Sequence, residues 1–182
     1  MRDKVIAWAM ALAVTAFVMW SVTRLAFGEV GYLPTVITTL QPDMEPERAN
    51  RLAVVFNEAA DWYNIEPRLL VAIAFRESSL REDVERHQRR GKLGEGGLMQ
   101  VHGAALRVRP ADCTRELIGA RCQVMTGAAW LSEARRQCGG SMWRWVGAYG
   151  TGTCPSERRA RTMSSVKVAR RHYLRIGGRW EI

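Results

Sequence analysis

The chain has 182 residues, 47% of them hydrophobic and 25% charged, with a formal net charge of +9. These proportions belong to one globular domain, or one domain and an appendage, and exclude wholesale disorder and collagenous or low-complexity sequence; no fixed-period repeat is present, which removes solenoids and propellers. The charge is lopsided: residues 1–80 hold 7 Lys and Arg against 9 Asp and Glu, while residues 81–182 hold 20 against 9. Unless it reflects compositional bias alone, the basic half is expected to face something anionic: nucleic acid, acidic lipid or an acidic wall polymer. Only Lys4, Lys92 and Lys167 are lysines, and arginine suits bidentate contact with carboxylate or phosphate.

Residues 5–23 carry no charge, with Arg2 and Lys4 before them and Arg24 after. A helix of that length spans roughly 28 Å, close to a bilayer core, and the N-terminal cations favour an N-inside orientation with the rest exported. Trp8 and Trp20 stand near the two ends, where interfacial aromatics sit. The run is long for a signal-peptide core, yet Ala26-Phe27-Gly28 makes a small-x-small cleavage site. Residues 1–27 are therefore expected to be a membrane anchor or a signal peptide, with the rest of the chain held on the exported side of the membrane or released there after cleavage.

Residues 28–45 are expected to be a linker, and residues 46–182 a mainly α domain. From Pro46 to Tyr63, Leu52, Val55, Phe56, Ala59 and Tyr63 recur at helical spacing. Pro67 suits the first turn of a second helix running through Ser79, apolar almost all round from Leu69 to Phe75 and hence central in a core. Residues 82–97 are charged and glycine-bearing, a loop with room for a short hairpin. Further helices are expected over Ala120–Gln137, where Gly127 suggests close helix packing, and over Met142–Ala148. A last helix, capped by Ser156, would carry Ala160, Met163, Val166, Ala169, Tyr173 and Ile176 inward and seven cations around them.

Cys113, Cys122, Cys138 and Cys154 all follow the apolar segment and show no C-x-x-C spacing, and His87, His102 and His172 are scattered. No metal site is implied. Two disulfides in an oxidising compartment fit this usage; of the three pairings available, Cys113–Cys122 and Cys138–Cys154 close the shorter loops and are favoured.

Glu77 ends the most apolar of the helices outside the N-terminal segment. A carboxyl at the edge of an apolar core is partly desolvated, which disfavours its anion, and a carboxylic acid that keeps its proton near neutral pH serves as a general acid. The pair Glu77-Ser78 is followed by Gly97-Leu98-Met99-Gln100-Val101 and then by Ala148-Tyr149-Gly150-Thr151-Gly152. This ordered trio, within about residues 47–154, resembles the lytic transglycosylases of the soluble-type, goose-lysozyme-like superfamily, whose signature is E-S, then G-L-M-Q, then A-Y-N-x-G.

The resemblance implies a lysozyme-like helical domain with a groove for peptidoglycan glycan strands. Glu77 falls on that family's catalytic acid. Ser78, Met99, Gln100 and Tyr149 fall on positions beside the acid or along the sugar groove. The family's Asn is Gly150 here, which removes a side-chain amide, and the loop from Glu77 to Gly97 is longer than usual. Glu77 would protonate the bond after N-acetylmuramic acid. As carboxylate it would then take the C6 hydroxyl proton, while O6 closes a 1,6-anhydro ring on C1. This route needs no second carboxylate, cofactor or metal.

A hydrolytic muramidase would need a second carboxylate to hold water, for which Asp83, Glu85 and Glu95 are candidates. Trp130, Trp143 and Trp145 could stack on sugars, although residues 143 and 145 cannot share a helical face. A wall-binding protein without catalysis is the competing class. Nucleic-acid binding, suggested by an isoelectric point of 10.1, is disfavoured by the export segment and the lack of a DNA-binding motif. Expected partners are the glycan strands, the membrane through residues 5–23, and an envelope-spanning secretion or phage machine.

Overall fold

The computed structural model describes residues 32–91, 94–101 and 103–180. The expected membrane segment lies outside these residues; among the described residues no helix is long and apolar enough to cross a membrane. Helix α1, Leu33–Leu40, occupies part of the stretch expected to be a linker. It buries Leu33, Val36, Ile37 and Leu40 against α2, Pro46–Tyr63. The linker expectation fails because α1 has only eight residues and several β-branched ones, so its local preference for helix is weak. Packing of its apolar face supplies what propensity does not.

Helix α2 starts on Pro46, buries Leu52, Phe56, Ala59 and Ala60, and stops where Asn64 turns left-handed at φ 49°. Helix α3, Pro67–Ser78, is the centre of the molecule: Leu69 through Ala74 are 0% exposed. The Glu66 carboxylate caps its start by accepting from the Leu69 N–H at 3.2 Å. The charged loop contains one short turn of helix, α4, Glu82–Glu85, and an isolated bridge between Gly96 and Val101 in place of a hairpin. A 3-10 turn follows over Gly103–Val108.

Helix α5, Gly119–Cys138, crosses α2 and packs along α6, Met142–Thr151. A Cβ on Gly127 would stand 2.6 Å from the Met99 Cβ, so glycine there lets the loop bearing Met99 rest on the helix backbone. The basic C-terminal helix is two helices: α7, Glu157–Thr162, and α8, Ser164–Arg175. Met163 between them is extended at ψ 124°, which breaks the continuous helix expected. Ser156 caps α7 by accepting from the Arg159 N–H, and α8 lies against α3.

Two disulfides join Cys113 to Cys122 and Cys138 to Cys154, closing separations of 9 and 16 residues. The first pins the loop after the 3-10 turn to the start of α5; the second ties the end of α5 to the loop after α6. Loops of this size remove roughly 3 kcal/mol each of unfolded-state entropy.

Candidate active site

The polar residues Arg76, Glu77 and Ser78 emerge where α3 leaves the core. The Ser78 hydroxyl donates to the Ala74 carbonyl at 2.9 Å and accepts from the Leu80 N–H at 3.1 Å. Ser78 is buried and fastens the helix end; its side chain is not on the cavity wall. Ser79 then turns left-handed at φ 53° and stops the helix. Glu77 is thereby fixed at the rim of the core, its side chain 20% exposed.

Glu77 opens on a cavity of about 760 Å³. Gln100 and Tyr149 line the same cavity, so three of the five residues singled out in the sequence meet there. Met99 does not: it is 0% exposed beneath the cavity and contributes through its carbonyl, which accepts from the Tyr149 hydroxyl at 2.6 Å. Burial pushes the Tyr149 phenol well above its ordinary value. The phenol therefore stays protonated and keeps donating.

The Gly97-Leu98-Met99-Gln100 turn owes its shape to a residue the motif does not contain. Gln123, 0% exposed on α5, accepts from the Leu98 N–H at 2.8 Å and donates to the Glu85 carbonyl at 2.7 Å. Its amide lies directly over Gly97, which stands at φ +74° and whose Cβ would meet the Gln123 Cδ at 2.5 Å. Only glycine satisfies both constraints. Gln100 is also left-handed, at φ 47°, and its side-chain amide donates to the Gly97 carbonyl at 2.9 Å. That bond aims the side chain along the cavity wall.

Further wall residues were not assigned in the sequence, among them Arg76, Ser164 and Val168. Arg76, whose side chain is 9% exposed, pairs through Nη2 with Glu77 Oε1, and its Nε is buried without a partner. Burial pushes its guanidinium below the ordinary arginine value. The Arg76 Nη1 lies 4.0 Å from where a Cβ on Gly150 would stand. Gly150 thus leaves open space beside the guanidinium, at the position where the motif of the resemblance carries an amide. Ser164, Ser165 and Val168 of α8 also line the cavity. The signal for Arg76 was present in its adjacency to Glu77. For α8 there was none, because chain separation hides the approach.

Of the tryptophans, Trp130 lines the cavity and donates to the Tyr149 carbonyl at 3.1 Å. Trp143 instead packs edge-on to Trp180 at 5.3 Å, with Arg170 at 5.5 Å over its ring, and Trp145 is buried beside a separate hollow next to Leu69. Of the three loop carboxylates, Asp83 is held by Arg81 at 2.8 Å and Glu85 pairs with Arg48. Glu95 lines the cavity. Among the described residues no cluster of His, Cys, Asp and Glu could hold a metal ion.

The transglycosylase SLT domain profile matches residues 54–169, a span that contains all of these wall residues. The chain is also similar to the invasion protein IagB of Salmonella typhimurium, at 32% identity over 114 residues that cover 61% of this chain and 70% of the relative. Its similarity to protein IpgF of Shigella flexneri is 32% over 123 residues, covering 66% of this chain and 80% of that one.

Proposed function

Since the chain belongs to the transglycosylase SLT domain family, which carries a lytic-transglycosylase type of function, we propose that it cleaves the β-1,4 bond between N-acetylmuramic acid and N-acetylglucosamine with Glu77 as acid and then base. The supporting observation is the placement of Glu77: a carboxyl at the end of α3, at the rim of the core and paired with Arg76, in one saccharide-sized cavity with Gln100, Tyr149 and Trp130. Glu77 gives its proton to the glycosidic oxygen as the C1–O bond breaks and positive charge develops at C1. The resulting carboxylate takes the proton of the muramic acid C6 hydroxyl. O6 bonds to C1 and closes the 1,6-anhydro ring, so the glutamic acid is restored and no water is consumed. Tyr149 holds the Gln100 turn against α6, which keeps Gln100 on the cavity wall to meet an acetamido group, and Trp130 offers a face to a sugar ring.

A second reading, hydrolysis, draws on Glu95. It is the one loop carboxylate of the three considered that faces the cavity, and a second carboxylate on the wall is what positioning a water requires. Digestion of purified sacculi, with the products weighed by mass spectrometry, separates the readings. Anhydro-muropeptides are the expected product. Reducing ends would transfer the reaction to the hydrolase, and folded protein that releases nothing would leave only wall binding.

The proposed setting is the bacterial cell envelope, facing the periplasm on an anchor formed by residues 5–23 or after export. Cleavage there would open the wall for an envelope-spanning secretion machine or for phage passage.

A further inference from the structure

The cations of the C-terminal helices have no part in this cleavage scheme. Residues 158–180 contain eight Lys and Arg and no Asp or Glu. Helix α8 sends Ser164, Ser165 and Val168 to the cavity wall and buries Val166, Ala169 and Tyr173 in the core. Steps of four, three and four residues from Ser164 reach Val168, Arg171 and Arg175, which share one side of a helix. The side of α8 that forms the cavity wall therefore continues beyond the cavity as Arg171 and Arg175, both exposed, roughly 5 and 10 Å beyond Val168 along the axis.

Among the described residues neither arginine is paired with a carboxylate; Arg175 donates to the Thr39 carbonyl at 3.2 Å. His172 beside them is packed edge-on to Phe75 of α3 at 4.8 Å, which fixes this stretch of α8 to the helix that carries Glu77. The positive field is felt locally: burial first, then the Arg171 and Arg175 charges, hold the His172 imidazole below its ordinary value. No acidic side chain within residues 158–180 offsets it.

We propose that the Arg171–Arg175 side of α8 is a docking track for the carboxylates of peptide stems borne by the same glycan strand that occupies the cavity. The proposal rests on reading the substrate as peptidoglycan. A strand lying in the cavity carries its stems outward at regular intervals, and the track begins where the cavity wall ends. Single exposed contacts between a guanidinium and a carboxylate are weak. Repetition along one polymer makes them count, because every later contact forms within an already bound strand.

The test uses the full chain with Glu77→Gln, so that the strand is bound without being cut. Retention on purified sacculi is compared with retention on sacculi whose carboxyls have been converted to neutral amides. Replacing both arginines, Arg171→Gln with Arg175→Gln, should weaken retention about five-fold at low salt. Amidation should weaken the parent as much and the double variant no further. A pair on α7, Arg158→Gln with Arg159→Gln, should retain parental binding.

Parental retention by a double variant that melts like its parent would overturn the track. So would an equal loss in the α7 pair, which would mean general charge attraction. Loss of binding to anionic phospholipid vesicles with retention on sacculi intact would assign the arginines to a membrane instead. Digestion by the wild-type chain keeps the two levels apart: released muropeptides with unchanged retention sink the track alone, whereas no release and no retention sink the substrate reading beneath it.

Discussion

Replacing Gly97 by alanine tests how the candidate site is held together. The residue stands at φ +74°, and an added methyl would meet the Gln123 Cδ at 2.5 Å and its Oε1 at 2.6 Å. The left-handed backbone alone costs a non-glycine residue about 1 kcal/mol. The contact costs more, because Gln123 is 0% exposed and its amide must move. It would then give up the bond from the Leu98 N–H at 2.8 Å and the bond to the Glu85 carbonyl at 2.7 Å. Buried polar groups left without partners cost about 1–3 kcal/mol each, so the sum is roughly 3–5 kcal/mol. For a domain of this size that lowers the melting temperature by roughly 8–15 °C.

The assay is thermal unfolding followed by circular dichroism, with Gly94→Ala as the control. Gly94 has a similar φ of +83° but nothing within 4 Å of its Cβ position, so the control isolates the backbone cost and should lose only about 1 kcal/mol. Sacculus cleavage should fall with Gly97→Ala even at temperatures where the protein is folded, because the same turn aims Gln100. A melting temperature for Gly97→Ala equal to that of Gly94→Ala would refute the clamp.

Three further outcomes follow from the same geometry. Glu77→Gln should reduce anhydro-muropeptide release by about 10²–10⁴-fold while the glutamine oxygen keeps an acceptor for Arg76, so the melting temperature should stay within a few degrees of the parent. Tyr149→Phe removes the donor to the Met99 carbonyl at 2.6 Å and should cost about 1–2 kcal/mol in urea unfolding. Because burial raises the Tyr149 phenol, its neutral form contributes stability that is complete below the unfolded tyrosine value, about 10, and is lost as pH rises past it; the phenylalanine variant should lose less stability above that pH. Reduction of both disulfides should cost roughly 3 kcal/mol each, read as a lowered urea midpoint in the presence of a reductant.

The helix periodicity was legible where helices are long and one-sided, as in α2, or wholly apolar, as in α3. It was overlooked at α1, where Leu33, Val36, Ile37 and Leu40 stand at helical spacing but over only two turns, and it misled at Met163, where an apolar residue that fits the helical spacing instead stands extended. The ordered motifs pointed to Glu77, Gln100 and Tyr149, which meet at one cavity. They also pointed to Ser78 and Met99, whose side chains face inward; a motif records which positions matter without saying whether a side chain or a backbone atom is what matters.

What the sequence alone determined is the helical class, the family's ordered motifs and the glutamate at the end of an apolar helix, because each is written in local order. The tertiary structure decided what no local order contains: that Gln123 clamps the turn at Gly97, that Arg76 faces the bare backbone of Gly150, and that α8 closes the cavity from far along the chain. Those contacts join residues distant in sequence, and close packing in three dimensions selects them.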